Sequence, residues 1–316
     1  MRVPTTDPRR SGVELTAQAT LRSTALRIAR CLERLDANAP SVMTGTDPEA
    51  LHQFRVNLRR ARSLMEALEP ALTPDSWHPL RRQLGVLNRL AGTVRDLDVI
   101  GKALPTLAAR ASSGRKSVLR ELTRTHARTH AEAHAALARF LHKSRYRALM
   151  HDWRALLAGI ERLDPEIVDR NALPQLSSVP MRIELMYRRA RHLGNMAMHT
   201  RARHDLHATR KAIKRLRYLV EAFESELPEG LVGNLGVQTA ALQKALGQFC
   251  DLELERDFVA LALADSKARC KPLRERIELD IDAQVGRCLA RLADFESPRM
   301  WREVASLTSA TRVTTH

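Results

Sequence analysis

Hydrophobic residues recur every three or four positions along most of this chain, which is the spacing of helices that bury one face. Leu15, Leu26 and Leu32 follow this spacing in a helix predicted from about 12 to 36. Pro40 is expected to end that helix. Further helices are predicted over roughly 47–69, 73–98, 106–143 (or 113–143), 146–163, 181–199, 205–226, 231–251, 252–268, 272–292 and 298–307. Nothing resembles a series of short β-branched strands, so the predicted fold class is all-α.

Two local signals divide the chain. Asp47-Pro48 predicts a helix start, because the aspartate can accept a bond from an unpaired backbone amide and proline suits the first helical position. Pro165, Pro174 and Pro180 predict a linker between two halves. The predicted organisation is a disordered lead-in (1–12), a first helical bundle (13–163), a linker (164–180), a second helical bundle (181–307) and a tail (308–316).

A basic motif occurs twice, once in each half. Its pattern is H-x-x-R-x-x-[LI]-[RK]-R-x-R-x-L, and the copies begin at His52 and at His207, 155 residues apart. The same offset aligns Asp96 with Asp251. Two matches at one offset predict an internal duplication. We therefore expect two similar four-helix-type bundles related by a pseudo-twofold axis, with a basic groove or pore between them.

A helical wheel places the motif's cations in one row beside the hydrophobic face. The first row is His52, Arg55, Arg59 and Arg62, and the second is His207, Arg210, Lys214 and Arg217. An outer set consists of Arg60, Lys211 and Arg215, and secondary candidates are Arg89, Lys244, Arg188 and Arg191. Neighbouring cations repel one another, so a row of phosphates is a natural partner. The alternative is a solvated face of a basic amphipathic helix.

Composition supports an anionic partner. The formal net charge is +16, with a pI near 10.7, while 44% of the residues are hydrophobic, enough for a packed core. Nucleic acid, an anionic membrane surface and inorganic polyphosphate all qualify. No segment has 18 consecutive apolar residues, so no membrane insertion is expected. The four cysteines show no paired spacing, which is typical of reduced thiols in a cytosolic protein.

Acidic pairs follow each motif, at Asp96/Asp98 and at Asp251/Glu253, where the helix is expected to break or bend. Such pairs could bind Mg²⁺ in a loop, act as acid and base, or orient the motif arginines, and we favour the orienting role. No phosphate-binding loop or nucleophile motif is present. His126, His130 and His134 recur at helical spacing. We interpret them as an exposed face, or as a minor contribution to anion binding at low pH, rather than as metal ligands.

The two motifs and the acidic turns at Asp96 and Asp251 resemble those of the CHAD domain, the conserved histidine α-helical domain. The resemblance covers about residues 14 to 307. It implies two helical bundles around a basic cavity, binding of inorganic polyphosphate, and location at polyphosphate granules. Some relatives also carry a CYTH domain, a β tunnel with an E-x-E-x-K opening, and this sequence has no such segment, so it looks like a stand-alone CHAD protein. One departure is the second acidic turn, which Cys250 precedes where Arg95 precedes the first.

The predicted function is non-enzymatic binding of inorganic polyphosphate, without cofactor or metal, in the cytoplasm and at granules. Two alternatives stay open. A nucleic-acid-binding protein would need aromatic side chains for stacking, and aromatics make up only 4% of this chain. An enzyme that processes polyphosphate or triphosphates would use Asp96 and Asp98 with Mg²⁺. The sequence gives neither the oligomeric state nor the preferred chain length.

Overall fold

The computed structural model describes residues 8–45, 47–111, 114–142, 144–173, 179–224 and 227–313. Within these ranges the secondary structure is helical, apart from one isolated antiparallel bridge between Leu72 and Val168. The helices are α1 (Pro8–Thr44), α2 (Pro48–Leu68), α3 (Pro74–Ala109), α4 (Arg115–His142), α5 (Ser144–Arg162), α6 (Val179–Thr200), α7 (Arg203–Ala222), α8 (Glu229–Ala262), α9 (Lys267–Phe295) and α10 (Pro298–Val313), with a 3₁₀ turn at Glu69–Ala71. The all-α prediction is confirmed.

The junction between α1 and α2 confirms one prediction and corrects another. Asp47 is the N-cap of α2, and its carboxylate accepts a hydrogen bond from the Glu49 amide at 2.8 Å. Pro40, however, does not end α1, which continues to Thr44. The missing amide of a proline costs one helical hydrogen bond, and the burial of Ala39 and Val42 in the core offsets that loss. Helix α1 also starts at Pro8, inside the predicted lead-in, and residues 1–7 lie outside the described ranges.

The acidic segments are not loops. Helix α3 runs unbroken through Asp96 and Asp98 to Ala109, and α8 runs unbroken through Asp251 to Ala262. The predicted break at 91–98 and the separate helix over 252–268 are therefore wrong. A glycine inside each helix costs about 1 kcal/mol relative to alanine, which is too little to break a helix anchored by buried neighbours such as Ala91 and Val94.

The halves pack their helices in the same order. In the first half α1 packs on α2, α3 on α4, and α5 on α1, while in the second half α6 packs on α7, α8 on α9, and α10 on α6. Among the described residues each half thus has five helices, one more than the predicted four-helix type, because α5 packs within the first half and α10 within the second. The halves meet where α2 contacts α7 and α3 contacts α8.

One continuous cluster of buried side chains extends through both halves. The predicted core-facing residues of the two motif helices all belong to it. They are Phe54, Leu58, Ala61, Met65 and Leu68 on α2, Ile213, Leu216 and Val220 on α7, and Phe223 directly after α7. Burial of these faces fixes the rotation of α2 and α7. Because the basic rows lie beside the hydrophobic faces, this rotation turns both rows toward the boundary between the halves.

The predicted linker is attached to the first half. After α5, the backbone amide of Asp169 donates to Ala71 O at 3.1 Å, and the amide of Thr73 donates to Ile167 O at 2.9 Å. Val168 and Leu173 are buried in the core. Residues 174–178 lie outside the described ranges. At the other end, α10 runs to Val313, through part of the predicted tail. In the described part of the chain, no helix combines the length and apolar character needed to cross a bilayer.

Candidate functional site

The structure brings the two basic rows together. Four cations, here named the central cluster, converge from the two motif helices: Arg55 and Arg59 of α2, and Arg210 and Lys214 of α7. All four interact electrostatically with Asp96 of α3. Asp251 of α8 in turn interacts with Arg210, Lys214 and Asp96. Residues that lie far apart in the sequence therefore form one charged site where α2, α3, α7 and α8 meet.

Arg55 is held in place by the helix beside it. Its Nη1 donates to Gly92 O at 2.9 Å and to Ala91 O at 3.2 Å, and lies 3.8 Å from Asp96 Oδ1. Its side chain is only 12% exposed. Burial, with the neighbouring charge of Arg59, lowers the pKa of Arg55 to about 10. The guanidinium therefore stays charged at neutral pH. The carbonyl groups of Ala91 and Gly92 fix its orientation, unlike that of a flexible surface arginine.

The central cluster carries unused hydrogen-bonding capacity. The Nε atoms of Arg55 and Arg210, which occupy equivalent motif positions, are buried and have no acceptor within the described protein. Buried donors are normally paired, because leaving one unpaired costs roughly 1–3 kcal/mol. Two such donors lie at matching positions in one cationic site, so their hydrogen-bonding capacity is available to a ligand.

The pKa of Lys214 is strongly lowered within the site. Burial lowers the pKa of Lys214 to about 7, and the charges of Arg210, Arg59 and Arg55 act in the same direction. An ammonium group with such neighbours is held charged only at a cost. A bound anion would remove that cost, because opposite charges favour the protonated form.

Beside the central cluster lies a cavity of about 270 Å³, here named the central cavity. Its cationic lining consists of Arg59, Arg62, Lys211, Lys214 and Arg215. Both motif copies contribute: Arg59, Arg62 and Lys214 come from the two rows, and Lys211 and Arg215 from the predicted outer set. Glu66 is the carboxylate in this lining. An anion entering the central cavity therefore meets five cations and one acid.

Two ion pairs join α2 to α7 at equivalent positions. Arg60 Nη2 lies 2.7 Å from Glu221 Oε2, and Arg215 Nε lies 3.4 Å from Glu66 Oε2. The 155-residue offset converts one pair into the other. The four side chains are 22–45% exposed, so each pair contributes ~1 kcal/mol at most. Their geometric effect is to hold the two motif helices side by side.

The two halves are not chemically equivalent. Arg62 lines the central cavity, whereas its counterpart Arg217 donates to Glu221 Oε1 at 2.5 Å and to Gln243 Oε1 at 2.9 Å. His207 Nε2 donates to Glu253 Oε2 at 2.5 Å, and the Cys250 thiol lies 3.4 Å from its Nδ1. The first half has no such arrangement, because Asp98, the counterpart of Glu253, accepts from His130. His52 is half-buried on α2.

Asp96 and Asp98 face different neighbours. Residues two apart on a continuous helix point about 200° apart. Asp96 faces Arg55, while Asp98 Oδ1 accepts from His130 Nε2 at 2.9 Å. The interpretation of this pair as a loop that binds one metal ion is therefore wrong. Of the two acidic pairs, Asp96 and Asp251 interact with the central cluster, while Glu253 pairs with His207.

The three α4 histidines are structural contacts, not an exposed face. His126 Nε2 donates to Leu97 O at 2.8 Å, and His134 Nε2 donates to Val42 O at 3.0 Å. His134 also lies against Gly45, where a Cβ would come within 2.8 Å of the ring and the φ of +67° favours glycine. Together with His130 they attach α4 to α3 and to the end of α1. The sequence showed their spacing but not these partners.

The secondary candidates are dispersed. Arg188 pairs with Glu184 and stacks over Trp301, and Arg191 pairs with Glu296 and stacks over the same ring. Both arginines therefore attach α6 to α10 and do not belong to the site. Arg89 is exposed. Burial lowers the pKa of Arg62, and the charge of Arg89 acts weakly in the same direction. Lys244 is exposed on α8.

Some charged residues near the site were not among the predicted binding residues. Arg95 interacts electrostatically with both Arg55 and Asp251. Six more arginines line pockets beside the central cavity: Arg27, Arg30 and Arg34 on α1, Arg81 on α3, and Arg182 and Arg189 on α6. The 155-residue offset relates Arg27 to Arg182 and Arg34 to Arg189, so the repeat itself carried the signal.

The fold and the paired basic rows define an all-α protein with a cationic site between two helical halves. The family model of the CHAD domain matches residues 26–260, well over half of the chain. The chain belongs to the CHAD domain family, as its motifs predicted.

Solved structures share the fold, among them a plant CHAD domain and a Streptomyces protein. The crystal structure of the CHAD domain from the plant Ricinus communis matches with a TM-score of 0.65 at 23% identity, covering 86% of this chain and 91% of that one. PptA from Streptomyces chartreusis matches with a TM-score of 0.64 at 14% identity, covering 89% and 98% respectively. At these identities the likeness concerns the fold alone. Among curated proteins none matches the sequence.

Proposed function

We propose that this protein binds inorganic polyphosphate between its two halves. The observation that carries the proposal is the convergence of Arg55 and Arg59 with Arg210 and Lys214 around one site. These cations repel one another, and a polyanion relieves that repulsion. Because the cations continue from the central cluster into the central cavity, the arrangement suits a linear chain of phosphates better than a single phosphate ion.

The donors of the site suit phosphate oxygens. Arginine presents paired N–H groups to phosphate oxygens, and lysine adds a mobile point charge. The buried Nε–H groups of Arg55 and Arg210 would gain acceptors on binding. In the same proposal Asp96 and Asp251 orient these arginines. Their negative charges also balance part of the positive charge of the central cluster.

The proposed role is binding without catalysis. Asp96 and Asp98 have different partners, so they do not form the paired carboxylate site that a metal-dependent phosphotransfer mechanism would use. In this proposal polyphosphate remains intact when bound. We place the protein in the cytoplasm, at polyphosphate granules, where the ligand is concentrated. We also infer that the chain arose by internal duplication, since equivalent ion pairs and equivalent helix packing recur in both halves.

A competition titration tests the proposed ligand. Labelled long-chain polyphosphate is expected to bind the purified protein, with an affinity that falls as salt rises, because each phosphate contact releases counterions. Unlabelled polyphosphate should displace the label at stoichiometric amounts. Single-stranded RNA at the same phosphate concentration should not, since few aromatic side chains are available to stack bases. Double-stranded DNA should not either, since a duplex cannot enter a cavity of about 270 Å³. Displacement by nucleic acid at equal phosphate concentration would contradict the proposal.

A further inference from the structure

Two lateral pockets adjoin the central cavity, and their linings correspond. The first lateral pocket has a volume of about 440 Å³, and its lining includes Arg182, Arg189, Arg215 and Glu66. The second lateral pocket has a volume of about 370 Å³, and its lining includes Arg27, Arg34, Arg60 and Glu221. The 155-residue offset relates each of these four positions in one pocket to one in the other.

The two lateral pockets differ in how they join the central cavity. The first lateral pocket shares Ser63, Glu66 and Arg215 with the central cavity. The second shares only Tyr218. Ser63 and Tyr218 occupy equivalent positions in the two motif copies. A serine leaves space where a tyrosine ring fills it, so the central cavity opens more widely toward the first lateral pocket.

The two lateral pockets carry the same formal charge, since the lining of each has four arginines and two glutamates. Where the second lateral pocket has Arg30 and Cys31, the first has Leu185 and Met186. Arg81 of α3 supplies the fourth arginine of the first pocket. Long-range attraction therefore favours neither pocket, whereas access from the central cavity favours the first.

We propose that the first lateral pocket is an extension subsite, which takes the part of a polyphosphate chain that leaves the central cavity past Ser63. This inference rests on the proposed function. Phosphates make short-range contacts with arginine, and a continuous chain can reach only those arginines to which an open path leads. Access, and not charge, therefore distinguishes the two lateral pockets.

Arg189 is the main phosphate contact that this subsite offers to a polyphosphate chain. Arg215 and Arg81, also in the lining, are engaged by Glu66 and Glu69, the latter at 2.7 Å. Arg189 is exposed, and among the described residues it has no carboxylate within salt-bridge distance. Arg182 lies deeper, and burial lowers its pKa to about 10, so it remains charged at neutral pH. A phosphate in the pocket would meet both arginines of α6.

Matched charge reversals test the subsite. Arg189→Glu is compared with Arg34→Glu, the equivalent exposed position in the second lateral pocket, using tripolyphosphate and long-chain polyphosphate as ligands. Arg189→Glu is expected to weaken long-chain binding about fivefold, the effect of one lost contact of ~1 kcal/mol, and to leave tripolyphosphate binding unchanged. Arg34→Glu should leave both affinities near those of the native protein. Circular dichroism and thermal melting verify folding.

Each other outcome overturns a different statement. Equal losses in the two variants would mean that overall charge, not a subsite, governs long-chain binding. Equal losses for both ligands would place Arg189 in the central site, and no loss in either variant would remove the pocket from the path. If the native protein bound neither ligand, the proposed function itself would be wrong.

A second variant tests access independently of Arg189. Tyr218→Ser removes the ring between the central cavity and the second lateral pocket. In this background Arg34→Glu is expected to weaken long-chain binding about as much as Arg189→Glu does in the native protein. Persistent insensitivity to Arg34→Glu would show that the ring does not control the path.

Discussion

Alanine substitution of all four residues of the central cluster should abolish polyphosphate binding while the helices remain folded. Each side chain is expected to supply a charge-assisted contact of ~1 kcal/mol or more, so their joint removal should cost at least ~4 kcal/mol, or ~1000-fold in affinity. The loss should exceed this estimate if Arg55 and Arg210 each donate through two nitrogens. Binding is measured by titration with long-chain polyphosphate, and folding by circular dichroism.

A matched control separates the site from net charge. Arg82, Arg120, Arg124 and Arg147 are exposed and lie outside the central cavity. Replacing these four by alanine lowers the formal charge from +16 to +12, the same change as in the cluster variant. The control should keep nearly native affinity at moderate salt, because screening limits the reach of distant charges to about 10 Å. Comparable losses in the two variants would sink the site assignment.

A glutamine version of the cluster variant guards against a folding defect. Arg55 donates to the carbonyls of Ala91 and Gly92, and glutamine keeps a donor of shorter reach at that position. If the alanine variant melts early, the glutamine variant tests the same charge removal in a folded protein. A folded glutamine variant with native affinity would contradict the proposal.

Polyphosphate affinity should fall as pH rises above about 7, because Lys214 loses its proton in the free protein near that value. Bound phosphates favour the charged ammonium, so the pKa of Lys214 should be higher in the complex than in the free protein. A group whose pKa rises on binding contributes its full share below the free pKa and loses it as pH rises through the bound pKa. The affinity can change by up to about tenfold per pH unit within that window.

Lys214→Arg is the control for this prediction. An arginine keeps its charge across the whole range, so this variant should bind with nearly constant affinity between about pH 7 and 9. Calorimetry in two buffers of different ionisation enthalpy should also show proton uptake by the native protein and little by the variant. Equal slopes in both proteins at higher pH would exclude Lys214 as the cause.

The sequence predicted the motif helices well because their signals are local. Asp47 caps α2 through its neighbour Glu49, and the hydrophobic stripe of Phe54 and Leu58 needs only helical periodicity to be recognised. Where long-range packing overrode local preference, the predictions were wrong. Pro40 lies inside α1, and Asp96 lies inside α3, because buried neighbours on both sides stabilise the continuous helix.

Side-chain partners were the least predictable feature. Arg191 looked like a further phosphate contact, yet it pairs with Glu296 more than a hundred residues away. A helical wheel gives the direction of a side chain relative to its own helix, but not the helix that it meets. Arg189, three residues from Met186 on the same helix, lines a pocket instead.

By itself, the sequence determined an all-α chain of the CHAD family with two basic rows, because periodicity, caps and the repeated motif are all properties of nearby residues. Only the tertiary structure decided which cations share a site. Burial of the hydrophobic faces of α2 and α7 sets their rotation, and this rotation brings Arg55 and Lys214 together across the boundary between the halves. It also decided the difference between the two lateral pockets. Ser63 and Tyr218 affect access from the central cavity only once α2 and α7 are packed together.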